Sequence, residues 1–334
     1  MSALIVHGGG IALAAAHYGG QPQDWLDLST GLNPCPPALP DLSARVWHRL
    51  PDEDLLERTR RAARDFYRSG ETLPLAVPGT QSVIQLLPKL ADRKRPVTIL
   101  APTYGEYGRV MEASGFRVDP VADLTDIDSQ SGLVVIVNPN NPTGGLYPAD
   151  TLLALADQLA GEGGLLVVDE AFGDGVPEES LAAMAGSRSN LLVFRSFGKF
   201  FGMAGIRLGF VIAGAPILER LADWLGPWAV SGPALGVAVD LLSADPTPLR
   251  DLVAARRAGL QRVLSGAGLT IEGSTHLFAL VADPCAAELH EHLCRAHILT
   301  RRFDYAPTWL RFGLTPDEAA DSRLATALSG WRLA

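Results

Sequence analysis

Five short runs of consecutive apolar, largely β-branched residues alternate with helical stretches through the middle of this chain. The runs predict strands at Val97–Leu100, Leu133–Val137, Leu165–Val168, Leu191–Phe194 and Leu208–Ile212, with helices at Gln81–Leu90, Tyr107–Ser114 and Pro148–Ala160. A strand that is apolar along its whole length has both faces buried. The alternation therefore calls for a largely parallel sheet covered by helices on each side. Upstream, Asp52–Arg68 places acids first and bases last, the order that complements a helix macrodipole. Residues 1–45, rich in Gly, Pro and small side chains, predict an ordered arm. After Pro216 the pattern changes. A long Ala/Leu/Arg helix at Thr247–Ala267 leads into LFALVAD, the helix CAAELHEHLCRAH, ILTRRF and WLRFGL, the pattern of a smaller α+β domain.

Two domains suit 334 residues, at roughly 150 residues per domain. With 28 basic and 37 acidic residues the net charge is −9, which argues against nucleic acid or an anionic membrane as the main partner. The cysteines, Cys35, Cys285 and Cys294, are odd in number and scattered, so a disulfide framework is not expected and a reducing compartment is. The N-terminus is apolar, but no Lys or Arg precedes Arg45, so the charged region of a signal peptide is missing. No apolar run reaches the roughly 18 residues of a membrane span. The expectation is a soluble cytoplasmic protein.

Three segments at predicted strand ends carry the chemistry, since open parallel sheets bind ligands there. Asn138–Gly144 (NPNNPTG) is a rigid turn whose side-chain amides can face a ligand. An ordinary strand-to-helix turn has the same outline but needs only one Pro or Gly. Asp169, in Asp-Glu-Ala-Phe, puts a carboxylate at a buried strand end, where it needs a partner. That partner is a metal, an Arg or a protonated ring nitrogen, unless Asp169 caps a helix. Lys199 stands among aromatics and glycines with no acid beside it in sequence. Such surroundings favour the neutral, nucleophilic amine suited to a Schiff base. Ser196 and Arg207 flank it with a hydroxyl and a guanidinium suited to phosphate. Alone, Lys199 reads as a solvent-facing lysine in a Gly-rich loop.

In this order the three segments resemble the fold-type I enzymes dependent on pyridoxal 5′-phosphate, and the likeness covers essentially the whole chain. It implies an aminotransferase-like large domain with a mostly parallel seven-stranded sheet, a small α+β C-terminal domain and a homodimer with active sites at the interface. The corresponding boundaries are an arm at 1–45 contributing to the substrate site and small domain, a cofactor-binding large domain at 46–225 and the small domain at 226–334. By this resemblance Lys199 carries the cofactor and Asp169 pairs with its pyridinium nitrogen, keeping the ring an electron sink. Asn141 contacts the ring hydroxyl, and Tyr104 stacks on the ring face. Ser196 and Arg207 hold the phosphate, joined by Gly79, Thr80 and Gln81 through backbone amides and a hydroxyl.

The chain ends narrow the likeness. His7-Gly-Gly-Gly10 and DLSTGLNPCPP (Asp27–Pro37) are similar to the start of threonine-phosphate decarboxylases of cobalamin biosynthesis, close relatives of histidinol-phosphate aminotransferases. ILTRRF and WLRFGL place Arg301 and Arg311 where such enzymes keep substrate-binding arginines. A substrate with both carboxylate and phosphate has use for two cationic forks. The same likeness makes His7 and Asn33 candidates for the substrate phosphate. Two positions depart from the relatives. Phe172 replaces a Tyr, which leaves Asn141 alone at the ring hydroxyl, and Leu50 replaces an aromatic that reaches the neighbouring subunit's cofactor phosphate.

The implied activity is decarboxylation of L-threonine O-3-phosphate. The rivals are an aminotransferase acting on histidinol phosphate or another amino acid, and a protein that binds the cofactor without catalysis. Cys285, His290, His292, Cys294 and His297 resemble metal ligands, and His290, Cys294 and His297 would share a helix face. Leu289 and Leu293 fill the same helix as buried positions and no close Cys pair exists, so no metal is expected.

Overall fold

The structure, a computed structural model, describes residues 7–331. In chain order its strands are β1 (Leu26–Asp27), β2 (Leu75–Val77), β3 (Val97–Leu100), β4 (Val118–Val121), β5 (Leu133–Val137), β6 (Leu165–Asp169), β7 (Leu191–Ser196) and β8 (Gly209–Ile212). There follow β9 (Ile271–Ser274), β10 (Phe278–Ala282), β11 (Ile298–Leu299), β12 (Arg301–Arg302) and β13 (Trp309–Gly313). The chain divides into two compact units.

The first unit comprises Pro37–Asn141 and Leu146–Pro246. Among its described residues a seven-stranded sheet runs in the order β2-β8-β7-β6-β5-β3-β4. β3 pairs in parallel with β4 and β5, β5 with β6, and β6 with β7, whereas β8 lies antiparallel to both β7 and β2. β3, β5 and β8 are buried at every residue, as continuous apolar strands require. Val135, Val167 and Phe194 of the central strands join Tyr107 and Met111 in the core of this unit.

Two strands escape the hydrophobic pattern. β2 has three residues, and β4 is a half-exposed edge strand containing Asp119 and Pro120, a residue that an edge tolerates because no neighbour needs its N–H. The helix expected over Gln81–Leu90 spans Thr80–Ile84 only, with a single 3₁₀ turn at Leu87–Lys89. Pro88 within that turn cannot donate to an α-helical ladder.

The helix Glu53–Tyr67 forms where the charge order places it. Asp52 caps it by accepting the Leu55 N–H, and Arg68 closes it in a left-handed conformation. It packs on the helix Gly232–Ser243, whose Leu235 carbonyl accepts the Thr59 hydroxyl at 3.2 Å. That packing keeps residues up to Pro246 in the first unit, so the division falls before Thr247 and not at the expected 225/226 boundary.

The second unit contains the described residues up to Pro36, then Pro142–Gly145 and the described residues from Thr247 onward. Its four-stranded sheet, β12-β13-β10-β9, is antiparallel throughout. The arm enters this unit as a strand, because β1 pairs in parallel with β11 and the Gly313 N–H donates to the Leu28 carbonyl. Pro142–Gly145 lies against β9, with Gly273 and Thr143 in backbone contact that leaves no room for a Cβ at 273. No helix among the described residues is long and apolar enough to cross a membrane.

Gly232 starts its helix so close to the short helical turn Arg45–His48 that a Cβ there would lie 2.5 Å from the Val46 carbonyl oxygen. Gly232→Ala must displace backbone and should cost about 1–3 kcal/mol. Thermal unfolding should show a drop of several degrees with unchanged far-UV circular dichroism, and an unaltered melting temperature would mean that the Val46 segment yields freely.

Candidate active site

The reversed direction of β8 builds the site. Because it runs against β7 and β2, its first residue, Gly209, pairs with both Ser196 at the end of β7 and Val77 at the end of β2. Arg207, just before β8, is thereby brought beside Ser196 and the Gly79-Thr80-Gln81 turn that follows β2. Asp169 ends β6 and Asn141 follows β5, both on the same edge of the sheet. Tyr104 follows β3, and Lys199 sits in the single helical turn after β7. All of these residues except Gly209 and Val77 line one cavity. Its walls lie wholly within the first unit.

Asp169 is 4% exposed. Its Oδ2 accepts the Tyr107 hydroxyl at 2.7 Å and its Oδ1 the Ala171 N–H at 3.0 Å. Burial pushes the carboxyl above its ordinary value, while the two hydrogen bonds and the charge of Lys199 pull it down. No acid neighbours Lys199 in sequence, yet the fold supplies one in Asp169. The Lys199 ammonium also lies 5.4 Å from the centre of the Phe172 ring, a cation–π contact.

The three asparagines of the Asn-Pro-Asn-Asn turn divide their work. Asn138 accepts the Tyr147 N–H and donates to the Tyr147 carbonyl. Asn140 accepts the Thr103 hydroxyl and donates to the Pro102 carbonyl. Asn141 is the one that lines the cavity. Arg207 holds a left-handed backbone at φ 56° and donates to the Ala204 carbonyl. Gly79 gives the guanidinium its room, since a Cβ there would lie 2.8 Å from Arg207 Nη2.

Behind the cavity lies a buried ion triad. Arg195 donates to Glu170 at 2.7 Å and to Asp174 at 2.6 Å, with its guanidinium 4.6 Å from the centre of the Tyr67 ring. Glu170 also accepts the Leu181 N–H and the Ser180 hydroxyl. Glu170 and Arg195 are the immediate neighbours of Asp169 and Ser196, so strand alternation sends one pair to the cavity and the other to the brace.

A carboxylate, an amine, an aromatic face and a guanidinium with hydroxyls suit a planar, phosphate-bearing aromatic aldehyde. The carboxylate matches a protonated ring nitrogen, the amine a carbonyl, and Arg207, Ser196 and Thr80 a phosphate. Sequence reasoning missed Tyr107, the Ala171 amide and the Arg195 triad. Tyr107 stands three residues after Tyr104, but its partner is remote in sequence.

The second unit holds the other candidates. Arg301 and Arg311 are register partners across β12 and β13. Arg311 is 6% exposed, donates to the Ser29 carbonyl at 2.8 Å and stacks over Phe278. Burial, reinforced by the charge of Arg301, pushes it down to about 10. Asn33 is buried and accepts the Cys35 N–H, whereas His7 is exposed. The histidines and cysteines that resemble metal ligands have other contacts. His290 meets Thr300 and Cys294, His292 meets the Ala327 carbonyl, and His297 packs on Trp25. Among the described residues no three His, Cys, Asp or Glu side chains converge on a metal site.

Residues 23–328 match the family described as aminotransferase class I and II. The chain belongs to this family. A threonine-phosphate decarboxylase from a Sinorhizobium species is 61% identical over 334 residues, the full length of both chains. Another of the same name, from Pseudomonas aeruginosa, is 41% identical over 341 aligned residues covering 98% of each. Among solved structures, the histidinol-phosphate aminotransferase of Sinorhizobium meliloti in complex with pyridoxal 5′-phosphate matches with a TM-score of 0.82, covering 100% of this chain and 96% of that one. At 20% identity that likeness establishes a shared fold.

A raised Asp169 pKa means that the folded apoprotein holds this proton more tightly than the unfolded chain does. Its contribution to stability is present below the unfolded carboxyl value and is lost as pH rises through the raised one. Asp169→Asn should flatten that part of the stability–pH curve, and Tyr107→Phe, which removes a downward pull, should steepen it. Thermal melts across the carboxyl range test this, and superimposable curves for the wild type and the Asn variant would contradict it.

Proposed function

We propose that the chain is a pyridoxal 5′-phosphate-dependent threonine-phosphate decarboxylase of cobalamin biosynthesis. It converts L-threonine O-3-phosphate to (R)-1-aminopropan-2-yl phosphate and carbon dioxide. The carrying observation is the 61% identity, end to end, with a relative of that name. The chemistry of the cavity supports it. The donor set suits the cofactor, and Gly79 leaves space for the guanidinium that would face its phosphate.

The cofactor supplies an electron sink for the pair released when a bond at the substrate α-carbon breaks. In this reading Lys199 provides the amine for the cofactor's carbonyl. Asp169, fixed by Tyr107 and Ala171, holds the proton on the ring nitrogen. Arg207, Ser196, Thr80 and the amides of Gly79–Gln81 bind the phosphate. Tyr104 packs on the ring, and Asn141 meets its hydroxyl, with Phe172 adding no second donor.

Arg301 and Arg311 bind the substrate's two anionic ends, helped by Asn33 and His7. Two guanidiniums at paired positions, one of them buried, repel each other until an anion joins them. Holding both ends of the substrate would fix which bond at its α-carbon is presented for breaking. We infer a cytoplasmic homodimer. The exposed Trp47, Leu50 and Trp228 of the first unit give it apolar surface to cover.

Purified protein should release carbon dioxide from L-threonine O-3-phosphate, at a far lower turnover from L-threonine, because remote binding energy holds the reactive angle. Efficient amino transfer from histidinol phosphate to 2-oxoglutarate, without carbon dioxide from phosphothreonine, would assign the chain to the aminotransferases. Borohydride reduction followed by peptide mass spectrometry should place the cofactor on Lys199, and Lys199→Ala should lose the label. Label on Lys89 or Lys94 would overturn the role given to Lys199.

A further inference from the structure

A second polar chain leads away from the cavity through Tyr104. The Tyr104 hydroxyl donates to Gln81 Oε1 at 3.1 Å, and Gln81 Nε2 donates to Glu106 Oε2 at 2.9 Å. Glu106 is 6% exposed and is gripped by Arg109, whose Nε lies 3.0 and 3.1 Å from its two carboxylate oxygens. Each link constrains the next. An ionised carboxylate can only accept, so the Gln81 amide must turn its nitrogen to Glu106 and its oxygen to Tyr104. A carbonyl oxygen can only accept as well, so the Tyr104 proton must point at Gln81. Burial, with Glu106 and Asp169 adding to it, pushes the Tyr104 hydroxyl up to about 12, which leaves it a donor at any working pH.

We propose that Glu106 is a positioning residue for the cofactor ring: through Gln81 it anchors the Tyr104 side chain and turns its O–H proton toward Gln81, leaving an aromatic wall for the ring. The proposal rests on the cofactor reading given above. Without the carboxylate, the Gln81 amide can rotate by half a turn and offer its NH₂ group to Tyr104. The hydroxyl then accepts and its proton swings free. The Tyr104 ring meets Tyr107 edge to face at 6.2 Å, which bounds its tilt, and a hydroxyl hydrogen bond to an amide of fixed orientation narrows the range further.

The test separates a positioning role from a merely structural one. The protein is labelled with 3-fluorotyrosine, and the Tyr104 ¹⁹F signal is assigned by its loss in Tyr104→Phe. Glu106→Gln, isosteric with the native residue, should move that signal in the apoprotein, as should Gln81→Leu. In the Gln81→Leu background, Glu106→Gln should add no further shift, because the path through residue 81 is already cut. In the holoprotein both single variants should change the visible circular dichroism of bound pyridoxal 5′-phosphate and weaken its binding about fivefold, the worth of one net hydrogen bond. Arg109→Lys should move the same signals less, in the same direction.

A Tyr104 signal and a cofactor dichroism unmoved by Glu106→Gln would overturn the proposal, whatever happened to the melting temperature. So would additive shifts in the double variant. If Glu106→Gln did not fold, an unmoved Tyr104 signal in Gln81→Leu would be equally decisive. A coupled tyrosine signal in a protein that took up no pyridoxal 5′-phosphate would uphold the tether and overturn the cofactor reading instead.

Discussion

Three charges buried where β6 and β7 end set the terms for everything built on that edge of the sheet. Glu170, Asp174 and Arg195 are each 2% exposed or less, and the triad is tolerable only because every carboxylate has the guanidinium within hydrogen-bonding reach. Removing Arg195 alone would strand two buried carboxylates, a loss on the order of 3–5 kcal/mol. An apolar trio of similar volume would hold the strands at least as well. What the ions add is register. Side chains alternate along a strand, so a slip of one residue in β6 would aim Glu170 at the cavity and Asp169 at the brace. Glu170 finds Arg195, the Leu181 amide and the Ser180 hydroxyl on its own side only. The brace and the site are two faces of one pairing.

The fold was legible where burial is continuous and illegible where it is not. Val97–Leu100 and Leu133–Val137 stand out because each residue lies between two layers, and their predicted limits coincide with the strands formed. β4 does not stand out, since an edge strand has neither the composition nor the full burial that makes a pattern. The arrangement of the strands was expected from a family likeness and not from periodicity, which says nothing about neighbours. The division before Thr247 was hidden for a similar reason. Gly232–Ser243 is apolar enough to suit either unit, and only its packing on Glu53–Tyr67, remote in sequence, assigns it.

At the site, the legible residues are those whose chemistry is unusual for their position, such as an Asp at the end of a buried strand or a Lys among aromatics. Their supports were not legible. Tyr107, Arg195 and Glu106 are ordinary members of helices and strands until a partner from a distant segment arrives. Nor could spacing divide the three asparagines of one turn into two that clamp the loop and one that faces the cavity. Motifs mark the groups that line the cavity, while the hydrogen bonds that aim them are made between segments and leave no mark in either alone.

Arg207 adopts a left-handed backbone, which for a residue with a Cβ costs about 1 kcal/mol and for glycine costs nothing. Given the phosphate-binding role proposed for Arg207, robustness and ligand retention pull in opposite directions at this position. A library screened for heat resistance alone would drift toward glycine at 207 and shed the guanidinium unnoticed. One screened for retention of a phosphate-bearing ligand would keep arginine and accept a softer melt. The least comfortable backbone on the cavity wall is thus a record of which of the two demands prevailed.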